Sequence, residues 1–259
     1  MIKSNRHLIE IFFTKLVFNL RSEASETYLG YIWWVLEPVL YVAVLYLVFG
    51  TFLGFRGGGD FVVFLICGKI PFLWFSKSVT HSSNSIMAGR GLIDQVVIPK
   101  AFFPLLVVFR DLVKQFFVFF LMIVFLLLYG LEPSLNWFLL VFVFLTELLL
   151  IIAFSLLVAA IIPFLPDFKF IVATGMMLLM FSSGIFFSYK DVILEKHQSL
   201  FLMNPIANLI KNSRQVLMDN LPPDWLALAS ISFFSLVLIV VMLAIYRKAG
   251  TTYAKLAVQ

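Results

Sequence analysis

An all-α integral membrane fold is predicted for this chain of 259 residues by three observations: 62% of residues are hydrophobic, only 13% are charged, and the mean hydropathy is +1.04. These values lie outside the statistics of soluble domains. Phenylalanine sharpens the argument, because its 31 copies would need a larger core than the chain can enclose in water, whereas lipid accommodates such rings without cost. A spanning helix needs roughly 20 apolar residues, and six runs of that order lie at residues 32–53, 61–79, 101–131, 135–164, 170–187 and 225–246. The third and fourth are long enough to tilt or to project beyond the bilayer. Nothing between the runs is large enough for a soluble domain, so residues 1–259 read as one membrane domain, with no internal repeat or flexible linker.

Each element follows from its pattern. In residues 1–30, Lys3, His7, Glu10, Thr14 and Arg21 recur at helical spacing while Leu8, Ile9, Phe12, Phe13, Leu16 and Leu20 fill the rest of the wheel. A broad apolar face with a thin charged stripe predicts an interfacial helix in the headgroup plane, with an ordinary packed helix as the alternative. The 188–224 segment is too apolar for a plain loop, and short re-entrant helices are expected there, broken at Asn204-Pro205 and ended by Pro222-Pro223. The short segment 82–100 is amphipathic and closes at Pro99. A helix from about Asn84 to Val97 would offer Leu92, Ile93, Val96 and Val97 to a partner's groove.

Orientation follows from Lys and Arg in the short connections. With the N-terminus inside, the inner segments hold Lys3, Arg6, Lys15, Arg21, Arg90, Lys100, Lys169, Arg247, Lys248 and Lys255; the outer ones hold Arg56, Lys190, Lys196, Lys211 and Arg214. Ten against five predicts both termini on the cytoplasmic side. The net charge of +5 is scattered at the ends of apolar runs and forms no basic stripe, so nucleic acid is not an expected partner. No short apolar core with a small-residue cleavage site is seen, and no removable leader is expected.

Catalytic machinery is sparse. There is no Gly-x4-Gly-Lys-Ser/Thr loop, no Gly-x-Ser-x-Gly elbow and no His-Glu-x-x-His; His7, His81 and His197 are far apart, and Cys67 is the lone cysteine. No metal site, cofactor or catalytic residue is expected on this chain. Charges within apolar runs are more informative, since each costs several kcal/mol unless partnered or facing a polar cavity. They are Glu37 before Pro38, Lys69 before Pro71, Arg110 with Asp111 and Lys114, and Glu147. Glu37 and Lys69 are expected either to pair or to line a polar conduit, and the Arg110 group to be a solvated helix end. Among the aromatics, Tyr28, Tyr31, Trp33, Trp34, Trp137 and Trp225 stand at the starts of runs and read mostly as interfacial anchors, while Tyr41, Tyr46, Trp74, Phe186, Phe187 and Tyr189 either pack or offer faces on which sugars slide.

Several motifs in order complete the reading: Glu26-x-Tyr28-Leu29-Gly30-x-x-Trp33-Trp34-x-x-x-Pro38, then Asn84 through Ile98-Pro99-Lys100, Pro166-Asp167, Ser183-Gly184-Ile185-Phe186-Phe187, and Asn204-Pro205 with Arg214. Together they resemble the membrane subunits of type-two ABC exporters that move lipid-linked O-antigen, capsule or teichoic-acid polymers. The chain departs from that pattern at Phe164-Leu165-Pro166-Asp167, where Arg would precede Asp. The resemblance implies a homodimeric channel of six-span protomers in a bacterial inner membrane, each docked on a separate ATPase that binds ATP and Mg. It implies coupling through Asn84, Ile86, Arg90, Leu92, Ile93, Val96 and Pro99, and a conduit for a lipid-linked glycan, most naturally O-antigen, past Trp34, Glu37, Tyr41, Phe186, Phe187 and Tyr189. Export of a small drug or lipid, or an intramembrane transferase, are the competing readings; a transferase would need clustered carboxylates or a His-Asp pair at one membrane face.

Overall fold

The structure, a computed structural model, describes residues 5–26, 28–52, 58–89, 91 and 98–248, and every regular element among them is a helix. In chain order they are α1 (Asn5–Ser25), α2 (Ile32–Leu45) continued by a π-helix (Tyr46–Phe52), α3 (Gly58–Ser83), α4 (Ser85–Ala88), α5 (Phe102–Leu128), a 3-10 turn (Leu135–Leu139) leading into α6 (Leu140–Ile161), α7 (Phe168–Ser182), α8 (Tyr189–Val192), α9 (Glu195–Phe201), α10 (Pro205–Leu217) and α11 (Trp225–Lys248).

Four helices are long and apolar enough to cross a membrane: Phe61–Ser83, Phe102–Leu128, Leu135–Ile161 and Trp225–Lys248. The runs expected at 32–53 and 170–187 appear as the shorter apolar helices Ile32–Val48 and Phe168–Ser182. The four long helices do not play equal parts. The most apolar window of α3 is 78% buried, against 22% for α5 and for α11. Accordingly α3 is the hub, packed on α5, α6, α7 and α10, while α11 leans on α6. Exposed Phe116, Phe120, Phe233 and Val240 give α5 and α11 outward faces suited to acyl chains.

Two cores result. One gathers Val63, Ile66, Phe75, Leu150, Leu209 and Ile210 around α3. The other joins Leu16 of α1 to Ile86, Phe102, Leu106, Leu156 and Tyr246. Phe12 meets Phe102 and Phe109 edge-on at 5.4 and 5.6 Å, so one face of α1 is packed on α5, while Ile9, Phe13 and Phe18 remain exposed. Gly30, at φ +50, makes the turn from α1 into α2; a Cβ there would sit 3.1 Å from the Ala24 carbonyl oxygen in a backbone region that side chains avoid.

The 188–224 segment holds three helices, and Asn204-Pro205 does more than break the chain. Asn204 caps α10 by accepting the Ile206 N–H at 3.0 Å, with Pro205 in the first turn. At its far end, the Asp224 N–H donates to Asn212 Oδ1 at 2.6 Å, and Asp224 accepts from the Ala227 N–H and Lys211 Nζ, each at 3.2 Å. The Ala227 N–H, ahead of Lys211, holds the Asp224 carboxyl below its ordinary range.

Arg214 belongs to this framework and not to a loop. Its Nε donates to the Phe64 carbonyl at 3.1 Å, Nη1 to Gly184 at 2.7 Å and Nη2 to Ile185 at 2.8 Å, with Cζ 3.3 Å from the centre of the Phe64 ring. Gly184 has φ +70, a turn that presents two successive carbonyls to one guanidinium. Gly68 leaves the space: a Cβ there would lie 2.5 Å from Nη2. Arg214 is thereby a half-buried clamp between α10, α3 and the turn after α7.

Candidate functional site

A cavity of about 640 Å³ opens between α1, α2, α3 and α5. Of the residues expected in a conduit, Trp34, Glu37 and Tyr41 line it, together with Trp33, Pro38, Trp74, Lys77, Ser78, His81, Asp111, Lys114 and Gln115. The helices deliver them by spacing. On α3, Trp74, Ser78 and His81 stand at i, i+4 and i+7; on α5, Asp111, Lys114, Gln115 and Val118 stand at i, i+3, i+4 and i+7, which is one face of each helix. Pro38 has no N–H to give the Trp34 carbonyl, leaving a backbone acceptor at the wall.

The polar residues of the cavity form two groups. Lys77 pairs with Glu37, joining α3 to α2. Asp111, 6% exposed, is held by His81 Nδ1 at 2.7 Å, Arg110 Nη2 at 3.0 Å and Lys114 Nζ at 3.3 Å, and Lys114 reaches on to Glu23 of α1 at 2.8 Å. Arg110 lies 3.6 Å from Glu23. Two expectations are corrected here. Glu37 lines the cavity, and the pair it forms there is with Lys77 and not with Lys69, which lies about two turns earlier on α3. The Arg110 group is no solvated helix end, because its carboxylate is enclosed by α3 and α5 and tied to α1.

Lys69 is buried at 6% exposure with Nζ 2.6 Å from Met180 Sδ. The rings of Phe72, Tyr41 and Phe186 surround it at 5.4, 5.8 and 6.0 Å, a setting in which cation–π attraction offsets part of the lost hydration. Phe186 thus approaches the cavity through Tyr41 and Lys69. Phe187 and Tyr189 are held elsewhere, each 6.1 Å from Phe201. Glu147 is buried at 1% on α6, next to Thr146, whose hydroxyl lies 3.2 Å from that of Ser232.

A second groove, also about 640 Å³, runs between α1, α4 and α5 and is lined by Lys15, Ser22, Glu26, Ser85, Gly89 and Arg110 among others. It places the start of the 82–100 segment. Asn84 and Pro99 are exposed, but Ile86 is 1% exposed and packs into the core beside Ile98 and Phe102. Ile86 therefore anchors α4 from within and does not face outward. Gly89 is demanded by packing, since a Cβ there would run into the Phe103 ring. Arg90, Leu92, Ile93 and Val96 lie outside the described residues.

Glu23, Lys77, Ser78, Lys114 and Gln115 were not singled out by their sequence environment as conduit residues. Their same-face spacing on α3 and α5 was a legible signal, weakened because each stripe is interrupted by large apolar residues. Among the described residues, no group of three His, Cys, Asp or Glu stands together as a metal site.

The fold and its apolar helices define the class: a multi-pass α-helical membrane protein with a polar, aromatic cavity among its helices. Comparison with known proteins narrows this. The chain is 27% identical over 239 residues to the O-antigen export system permease protein RfbA of Klebsiella pneumoniae, covering 92% of this chain and 91% of the relative. It is 27% identical to the protein of the same name from Myxococcus xanthus, with 91% of each covered. It is 26% identical to the polysialic acid transport protein KpsM of Escherichia coli, covering 88% of this chain and 89% of the relative. No family model matches the chain. These relatives are named as transport proteins, and the chain is similar to them along nine-tenths of its length.

Proposed function

We propose that this chain is the permease subunit of an ATP-driven exporter that moves a lipid-linked polysaccharide, O-antigen in the first instance, out of the cytoplasm. The observation that carries this reading is the likeness, over about nine-tenths of the chain, to proteins named for export or transport of two different polymers, O-antigen and polysialic acid. A shared scaffold for different glycans fits a conduit that reads sugars through ring faces and dispersed polar groups.

In this reading the protomer has six spans. The continuous helical stretch from α2 through the π-helix to Phe52 is about 30 Å long at 1.5 Å per residue, enough for hydrocarbon, and α7 with the turn after it supplies the fifth. The α1 helix lies at the cytoplasmic headgroups with Phe13 and Phe18 in lipid. The α8 to α10 helices dip in from outside, both termini are cytoplasmic, and two protomers build the channel in the bacterial inner membrane. A separate ATPase holds ATP and Mg and docks on the 82–100 segment.

The test is deletion of the gene in its host, with complementation by wild type or by a variant carrying Leu92→Asp and Ile93→Asp. Deletion is expected to abolish long-chain surface glycan while polymer accumulates inside, and the double variant to insert normally without restoring export. Unchanged surface glycan after deletion would turn the assignment toward drug or lipid substrates.

A smaller effect is expected at Glu37→Gln. With side chains 62% and 46% exposed, the Glu37–Lys77 pair contributes at most about 1 kcal/mol to stability. The thermal transition in detergent should therefore barely move, while export slows if the pair gates the cavity.

A further inference from the structure

Among the described residues, Glu23 alone lines both the α1–α4–α5 groove and the α2–α3–α5 cavity. Successive residues of α5 divide between the two spaces, with Leu106, Val107 and Arg110 on the groove and Asp111, Lys114 and Val118 on the cavity. The ionic cluster therefore stands between them. From the α1 side, Glu23 Oε1 accepts from Lys114 Nζ at 2.8 Å, and Glu23 Oε2 lies 3.6 Å from Arg110 Nε.

The cluster is arranged so that Glu23 can leave it. Arg110 and Lys114 each keep a second acid, Asp111 Oδ1, at 3.0 and 3.3 Å, so withdrawal of Glu23 strands neither cation. Asp111 also keeps His81 Nδ1 at 2.7 Å. The Glu23 side chain is 37% exposed against 6% for Asp111, and its buried Oε2 makes no hydrogen bond. In this position that oxygen forgoes hydration it would regain by moving out, and an ion pair at the edge of water is held only weakly. The helix that carries Glu23 has a hinge at its end, because Gly30 at φ +50 turns α1 into α2. The first half of α1 is pinned by Phe12 against Phe102 and Phe109 and by Leu16 in the core, whereas its last turn is held by Glu23 and the small side chain of buried Ala24. Ser85, Ala88 and Gly89, at the start of the proposed ATPase-docking segment, face the same groove.

We infer that the contact of Glu23 with Lys114 and Arg110 is a breakable partition: in one state it separates the cavity from the groove, and in another the end of α1 swings out with Glu23 and joins the two spaces. The inference rests on the export reading and adds to it a regulated step, access to the cavity controlled by α1. Hinged elements of this kind turn on a few residues at their ends. Asp111, His81, Arg110 and Lys114 stay together in both states, and Glu23 is the part that moves.

The test locks the partition without touching its charges. Asn19→Cys on α1 and Val107→Cys on α5 both line the groove, and Cys67 is buried away from thiol reagents. The pair is linked by short reducible bis-thiol reagents in inside-out vesicles that hold the full chain, its ATPase and lipid-linked glycan. Transport is read as ATP-dependent protection of glycan from impermeant periodate. The linked protein is expected to drop to the level seen without ATP and to recover on reduction, because a fixed contact cannot open. A contact that only holds the fold together is closed in any case, so undiminished transport by the linked protein would overturn the partition. So would failure of the two thiols to link with reagents of any length. Ser22→Cys with Val107→Cys replaces the first pair if that pair stops transport before linking. Glu23→Gln supplies the opposite arm: labelling of Val118→Cys by a bulky maleimide from the cytoplasmic side should quicken several-fold, while the thermal transition of the complex stays level. An unchanged labelling rate, or a thermal loss as large as that of Asp111→Asn, would refute the proposal. Wild-type vesicles that show no ATP-dependent protection while their ATPase is active would instead remove the export reading beneath.

Discussion

Arg214→Ala is expected to cost about 3 kcal/mol or more and to leave little correctly folded protein in the membrane. The guanidinium serves three carbonyls, those of Phe64, Gly184 and Ile185, and truncation strands acceptors where water does not reach. The damage should spread, because the same side chain joins α10 to α3 and shapes the Gly184 turn. Arg214→Lys should recover only part of the loss, since one ammonium cannot reproduce the planar fork that meets carbonyls in three directions. Gly68→Val should approach the alanine result from the other side, by driving a side chain into the place of Nη2. Fluorescence-detected size-exclusion chromatography after heating measures all three. Wild-type thermal behaviour in Arg214→Ala would refute the clamp.

The second large effect is expected at Asp111→Asn. The substitution keeps the shape but leaves His81, Arg110 and Lys114 gathered with only Glu23 as an acid. Removing one partner from a buried ionic group typically costs about 3–5 kcal/mol, because the remaining charges stay desolvated. A second substitution, Lys114→Met, should return part of that stability by removing one of the stranded cations. A positive coupling between the two sites in a double-mutant cycle is the expected result. Additive losses would mean that the Asp111 cluster is solvated after all. Since Glu23 ties the cluster to α1, the single variant should also loosen the N-terminal helix, seen as faster proteolysis near Ser25.

Much of the architecture was legible before any coordinates. Runs of apolar residues bounded by charge or Pro are read almost directly as membrane helices, and Asn204-Pro205 announced the start of α10 through local capping chemistry. The cavity was legible only in fragments. Trp34, Glu37 and Tyr41 stood out because a charge and amphipathic rings in an apolar run demand an explanation, whereas Ser78 and Gln115 did not, since a lone hydroxyl or amide in a helix costs little notice. Pairing of Glu37 with Lys69 is one of two readings the sequence leaves open, the other being a place on a polar conduit; which lysine Glu37 meets depends on which turn of α3 faces α2, and that register is not written in either helix alone. The resemblance implies a coupling role for Ile86, but its side chain is buried beside Ile98 and Phe102, a contact that pins α4 to the core and depends on residues remote from its own short helix.

The difference has one physical origin. Hydrophobicity, helix caps and turn conformations are properties of residues and their near neighbours, so the all-helical membrane character, the absence of local catalytic motifs and the segment boundaries follow from the amino acids in order. Which helix becomes the buried hub, that Arg214 reaches Phe64 across 150 positions, and that polar atoms of α3 and α5 meet across an unfilled space are consequences of packing. They depend on distances between segments remote in the chain, which are set when helices choose faces to bury, and those choices are made by the assembled fold.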